Sequence, residues 1–224
     1  MTSIEAFSGR RFRWRKFVVD GAGKLLILIA AIIILWAIAS SLITSPDRYL
    51  PSPESTALSS IDLLYKGVLP SFFADTLTRL VIGGLIGIAI GIPVGLALGL
   101  NRTVADMFYP IMNFFQSVSG IAILPVIVIW FGNSDLTVLI IILYTSFFPI
   151  VFNVLSGVRS VPIRYIQAVR TLGGSRLQVV RDVLLPGAMP SIAIGSRLSI
   201  GFAWRAVIAG EMLAGRPGLG SMIF

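Results

Sequence analysis

Apolar residues along this chain fall in long blocks separated by short polar stretches. A helix needs about 20 predominantly apolar residues to cross the hydrocarbon core of a bilayer, and five blocks qualify. Leu25 to Ile43 and Leu80 to Leu100 carry no charge, and the second helix is expected to begin earlier, near Thr76. Ile111 to Phe131 is uncharged with Pro125 inside it, and Leu136 to Leu155 is uncharged with Pro149 inside it. Ile192 to Ala214 is apolar but holds Arg197, Arg205 and Glu211. The first block is long for the h-region of a cleavable signal peptide, about 7–15 residues, and reads as a membrane anchor. The pattern predicts an all-α, polytopic membrane helical bundle with five visible spans. The last residues, Gly218 to Phe224, read as the start of a further apolar segment, so a sixth span is expected beyond the C-terminus, a true five-span protein being the alternative.

Between the first two spans, Leu58, Ile61, Leu64 and Tyr65 recur at helical spacing, which predicts a short surface helix over Ser55 to Tyr65. The charges in the connections set an orientation. The N-terminal tail holds Arg10, Arg11, Arg13, Arg15, Lys16 and Lys24, the second connection on that side Arg102, and the third Arg159, Arg164, Arg170, Arg176 and Arg181. The opposite side shows only Arg48, Lys66 and Arg216. The positive-inside rule then gives a cytoplasmic basic tail, 1–24, and a membrane domain, 25–224, with a cytoplasmic loop over 159–190. The same rule accounts for the net charge of +8 without a nucleic-acid partner. Only 12% of residues are charged and 56% are apolar, against about 25% charged in soluble domains. Neither Cys nor His occurs, which removes thiol nucleophiles, disulfides, imidazole bases and the usual zinc ligands. With few acids inside the spans, no catalytic cluster or metal site is expected.

Within the spans, Gly83, Gly87, Gly91, Gly95 and Gly99 recur every fourth residue and share one helix face. Such a face admits a second helix closely, either as tight packing within the subunit or as a sliding contact in a moving transporter. Pro93 is expected to kink that span. Arg205 and Glu211, at membrane depth, each need a partner on another helix or a wet cavity. Arg205 fits a structural ion pair or a pathway that favours an anion. Asp75 and Arg79 are spaced to pair with each other. Asn113 and Gln116 in the third span and Asn153 in the fourth are candidates either to line a pathway or to bond between helices.

The loop from Ile166 to Ile192 places apolar residues at Ile166, Val169 and Leu172, then Leu177, Val180 and Leu184, with Gly173 and Gly174 between them. Two short amphipathic helices are expected, of a kind that docks into a groove on a soluble partner. The loop resembles the EAA loop of ABC-importer permeases: Glu-Ala-Ala, three residues, Gly, nine residues, Ile-x-Leu-Pro. Gln167, Ala168 and Val169 stand at the first part, Arg170 follows, Gly173 and Gly174 come at the glycine, and Val183, Leu185 and Pro186 close it. Gln167 stands where the family has an acid and Val169 where it has the second alanine. Thr76 to Arg79, the glycine-rich span, and the run from Ala203 through Glu211 to Gly220 are similar to the nitrate/sulfonate/taurine branch of these permeases.

The resemblance implies a type I ABC importer permease fold in a bacterial or archaeal inner membrane and a non-catalytic subunit. It also implies two permease copies around a central pathway, two ABC ATPase subunits gripping the loop around Gln167 to Gly173, and a substrate-binding protein outside. ATP and magnesium would sit on the ATPase partner, since this chain has no Gly-x-x-x-x-Gly-Lys-Ser/Thr loop and needs no cofactor of its own. The substrate class implied is a small anion such as nitrate, a sulfonate or taurine. The alternative is a channel or stand-alone secondary transporter, which the docking loop argues against.

Overall fold

The computed structural model describes residues 5–42 and 50–223, with side chains described from Gly23 onward in those ranges. The basic side chains from Arg10 to Lys16, and all of Arg48, lie outside the described residues. The chain divides into two compact units, Met1–Val68 and Leu69–Phe224.

In the first unit, α1 runs Glu5–Leu42, and Gly23–Leu42 is its apolar part. The surface helix is present as α2, Pro53–Tyr65. Ser52 caps it by accepting from the Ser55 N–H, and Pro53 takes a first-turn position where no N–H is needed. The Trp36 indole N–H donates to the Pro51 carbonyl at 3.1 Å, tying α1 to the entrance of α2.

The second unit contains α3, Val68–Leu100; α4, Arg102–Ser117; α5, Gly120–Phe131; α6, Asp135–Ser160; α7, Ile163–Thr171; and α8, Arg176–Leu213. No strand occurs among the described residues. At the centre lies α6, where Val138, Ile141, Ile142, Ile150, Val151 and Val154 are all 0–1% exposed. Its neighbours approach through glycine. A Cβ on Gly83, Gly87, Gly91, Gly95 or Gly99 would strike Ile142, Ser146, Ile150, Val154 or Val158 respectively. Both series advance by four, so α3 and α6 run parallel with the glycine face of one against the other. α8 runs antiparallel on another side of α6, with Gly195 against Asn153 and Gly210 against Val138 and Ile141. In lipid, where tails are as apolar as side chains, this close approach supplies the van der Waals contact that holds helices together.

Two expectations from the sequence are corrected. The third span is not continuous: α4 and α5 meet at 88°. Pro125 is not the cause, since it lies inside α5, as Pro110 lies inside α4. The break falls at Val118 and Ser119, where Val118 turns to extended backbone. Among the described residues, four helices are therefore long and apolar enough to cross a membrane, and the bent pair makes a fifth if taken as one span. Nor does the loop form two separate short helices. Its second half runs without a stop into the last span, through a turn at Arg176–Gln178 and a π-wound segment, Val179–Leu184. Pro186 cannot donate to the Asp182 carbonyl, and the wider π-turn falls where that bond is missing.

Candidate functional site

The α4–α5 break opens a cleft of about 360 Å³. Its walls come from the break itself (Phe115, Gln116, Ser119), from α6 (Tyr144, Phe148) and from α8 (Phe202, Arg205). The break leaves carbonyls at the end of α4 without helical donors. The Tyr144 hydroxyl donates to the Phe115 carbonyl, with the Val118 carbonyl at 3.5 Å. A Cβ on Gly120 would strike Thr145, so α5 can start hard against α6 only from a glycine. The bend is thus fixed by two adjacent α6 residues, one bonding and one packing.

Arg205 is the cation of this cleft. It has no ion-pair partner among the described residues. Its guanidinium lies 5.7 Å from the centre of the Phe202 ring, one turn back on the same helix. No acid lines the cleft, so the site offers one positive charge, amide and hydroxyl groups, and aromatic walls. That chemistry is complementary to a small anion. Of the other candidate pathway residues, only Gln116 shares the cleft. Asn153 lines a separate hollow with Tyr109 and Arg159, and its amide donates to the Pro149 carbonyl at 2.8 Å. Asn113 is exposed on α4 and lines neither.

Glu211 is placed differently again. It is fully buried, and it anchors the segment that follows α8. Its carboxylate accepts from Arg79 Nη1 at 2.8 Å, from the Thr76 hydroxyl at 2.9 Å and from the Gly220 N–H at 3.0 Å. The Thr76 oxygen in turn accepts from the Leu219 N–H at 2.9 Å. Arg79 also donates to the Pro217 carbonyl and pairs with Asp135, which Arg216 grips through two bonds. Two acids and two arginines balance to zero, which makes a buried carboxylate tolerable at a span's end. Gly218 is required by closeness, because a Cβ there would strike the Glu211 carboxyl. The Asp75–Arg79 pair expected from spacing is not formed, since Arg79 is committed to these partners. Thr76, Asp135 and Arg216 were not among the candidate site residues. Their separations of up to 135 positions from Glu211 leave no local signature.

At the opposite end of the bundle lies the loop. Gln167, Ala168 and Arg170 are exposed on α7, while Ile166 and Val169 pack against the cluster of Val179, Leu184 and Ala188. The Gly174 N–H donates to the Val169 carbonyl at 2.9 Å and the Gly173 N–H to the Arg170 carbonyl at 3.0 Å. That is the Schellman pattern, which calls for a left-handed residue, and Gly173 supplies it at φ +79°. Leu185 is half-buried against the same cluster and Pro186 is exposed in the first turn after the π segment. Leu172 and Leu177 are 88% and 74% exposed, an apolar surface left uncovered by the described residues.

A family model described as binding-protein-dependent transport system inner membrane component matches residues 87–224. The taurine transport system permease protein TauC of Escherichia coli (strain K12) is 33% identical over 228 residues, 98% of this chain and 82% of that protein. The aliphatic sulfonates transport permease protein SsuC of Bacillus subtilis (strain 168), itself a putative assignment, is 28% identical over 214 residues, 96% of this chain and 75% of that one. Among solved structures, an inward-facing MetNI methionine ABC transporter matches with a TM-score of 0.61 and 22% identity, over 70% of this chain and 79% of that chain. At that identity the likeness is one of fold, a type I importer-like helical bundle.

Proposed function

The chain belongs to the family of binding-protein-dependent transport system inner membrane components, and we propose that it is the permease subunit of an ATP-driven importer for small sulfonates of the taurine class. The observation that carries the substrate class is the cleft at the α4–α5 break, with an uncompensated Arg205 among aromatic walls. A charge inside a membrane span is costly unless something neutralises it, and a passing sulfonate does so. Gln116 offers an amide beside it.

The remaining assembly follows the family. The end of the bundle carrying Arg102, Arg159, Arg164, Arg170, Arg176 and Arg181 faces the cytoplasm, as the positive-inside rule requires, with the N-terminus on the same side. Exposed α7 docks into the ATPase subunit through the face that carries Gln167 and Ala168, and Gly173 fixes how it projects. A second copy of the chain closes the cleft, a substrate-binding protein delivers the anion at the Glu211 end, and ATP-driven movement of α7 switches access. The other candidate pathway residues, Asn113 and Asn153, stand on the cytoplasmic half of this route, and Glu211 holds its outer end together rather than meeting substrate.

The test is ATP-dependent uptake of labelled taurine into proteoliposomes holding the assembled transporter and its binding protein. Arg205→Gln is expected to reduce uptake at least tenfold, about the 1.4 kcal/mol of a single charge-assisted contact, and Arg205→Lys to restore part of it. Uptake unchanged in Arg205→Gln would remove the cleft from the pathway.

A further inference from the structure

Arg170 and Arg176 line a second cavity, of about 340 Å³, together with Leu100, Val179 and Val180. It lies where three elements meet: the last residue of α3, the last turn of α7 and the first turn of α8. Neither arginine has an ion-pair partner among the described residues, whereas Arg102 and Arg159, near the same end, share Asp106. The floor is apolar, Val179 being 4% exposed. The position is the level at which α3 and α8 leave the apolar zone.

Arg170 also stands apart from the outward face of α7. Successive helical residues are turned by about 100°, which puts Arg170 about 70° from the centre of the packed face defined by Ile166 and Val169. Gln167, Arg164 and Ala168 lie about 130° or more from that centre. The face free for a soluble partner therefore includes Gln167 but leaves Arg170 toward the bundle and the membrane.

We propose that this cavity binds the headgroup phosphate of one anionic phospholipid. Arg170 and Arg176 take the phosphate oxygens through charge-assisted bonds, and the valine floor with Leu100 receives the start of an acyl chain. Basic pockets between helices at this depth suit such lipids. A bound lipid ties α7 to the ends of α3 and α8, so membrane composition sets how firmly the docking helix is held. The inference needs only that α3 and α8 span the membrane, and it stands apart from the substrate and ATPase assignments.

The experiment is native mass spectrometry of the assembled transporter released from nanodiscs containing phosphatidylglycerol and phosphatidylcholine. The native protein is expected to retain phosphatidylglycerol selectively. The Arg170→Gln, Arg176→Gln pair should lose about tenfold or more of that retention at unchanged melting temperature, with lysine at both positions recovering part of it. Arg102→Gln with Arg164→Gln removes equal charge near the same end and should retain the lipid. Equal retention of phosphatidylcholine, or equal loss in the control pair, would overturn the site. Displacement of the lipid by millimolar inorganic phosphate would overturn the lipid in favour of a free anion. Loss of the ATPase subunit with lipid retained would assign the two arginines to that partner instead.

Discussion

Replacing Glu211 by Ala tests the buried charge network directly. The side chain is 0% exposed and accepts three hydrogen bonds, from Arg79, Thr76 and the Gly220 N–H. Its loss strands one guanidinium contact, one hydroxyl and one backbone donor in a buried site. Arg79 keeps Asp135 and the Pro217 carbonyl, so its charge is not left alone, which limits the damage. Breaking a buried pair from one side costs about 3–5 kcal/mol. In a chain of this size each kcal/mol lowers the melting temperature by about 2–4 °C, so a fall of about 6–20 °C is expected. Glu211→Gln preserves shape but turns an amide N–H₂ toward either Arg79 or the Gly220 N–H, donor against donor, and should fall by a smaller but clear amount. The assay is tryptophan-fluorescence melting of the purified protein in detergent, for each single variant, for Arg79→Met and for the double variant. The double variant should be less destabilised than the sum of the singles by about 0.5–3 kcal/mol. Strict additivity, or a Glu211→Ala protein melting with the native one, would refute the network as described.

Other outcomes follow from the same geometry. Gly95→Ala drives a Cβ to 2.9 Å from the Val151 carbonyl and 2.7 Å from Val154, and should lose about 1–3 kcal/mol. Gly84→Ala, on the same helix with open space around it, should be neutral or stabilising by up to about 1 kcal/mol; equal effects in melting would contradict the packing of α3 on α6. Tyr144→Phe removes the hydroxyl that serves the carbonyls at the α4–α5 break and should cost about 1 kcal/mol with faster hydrogen exchange confined to residues 115–121. Gly173→Ala meets no neighbour but must hold φ +79°, costing about 1–2 kcal/mol and raising tryptic cleavage at Arg170 and Arg176, whereas Gly173→Asn should be tolerated better.

What was legible in the sequence was periodic and local. The glycine stripe declared itself at four-residue spacing, and the fold supplied only the identity of the facing helix. The Gly173–Gly174 punctuation marked a helix end that the Schellman bonds make explicit. The α4–α5 break was hidden because no proline or charge sits at Val118 and Ser119, and hydropathy reads straight across it. What holds the bend is Tyr144 and Thr145, on a helix that follows later. Arg79 shows the same limit of local spacing. Spacing offers it Asp75 four residues back, but the fold brings Asp135 and Glu211 to it from 56 and 132 positions away. Pro186 closes the loop motif and would interrupt a regular α-helix, and the π-wound segment before it lets the helix continue into the last span.

In the proposed assembly α7 is the element that engages an ATPase. The measurement that tests it is co-purification of the protein with a co-expressed cognate ABC ATPase subunit, for the native protein and for Gln167→Trp and Gly173→Val. The ATPase should remain bound to the native chain and be lost from both variants while each variant still melts cooperatively. An ATPase that never associates, or that binds all three equally, would contradict the claim.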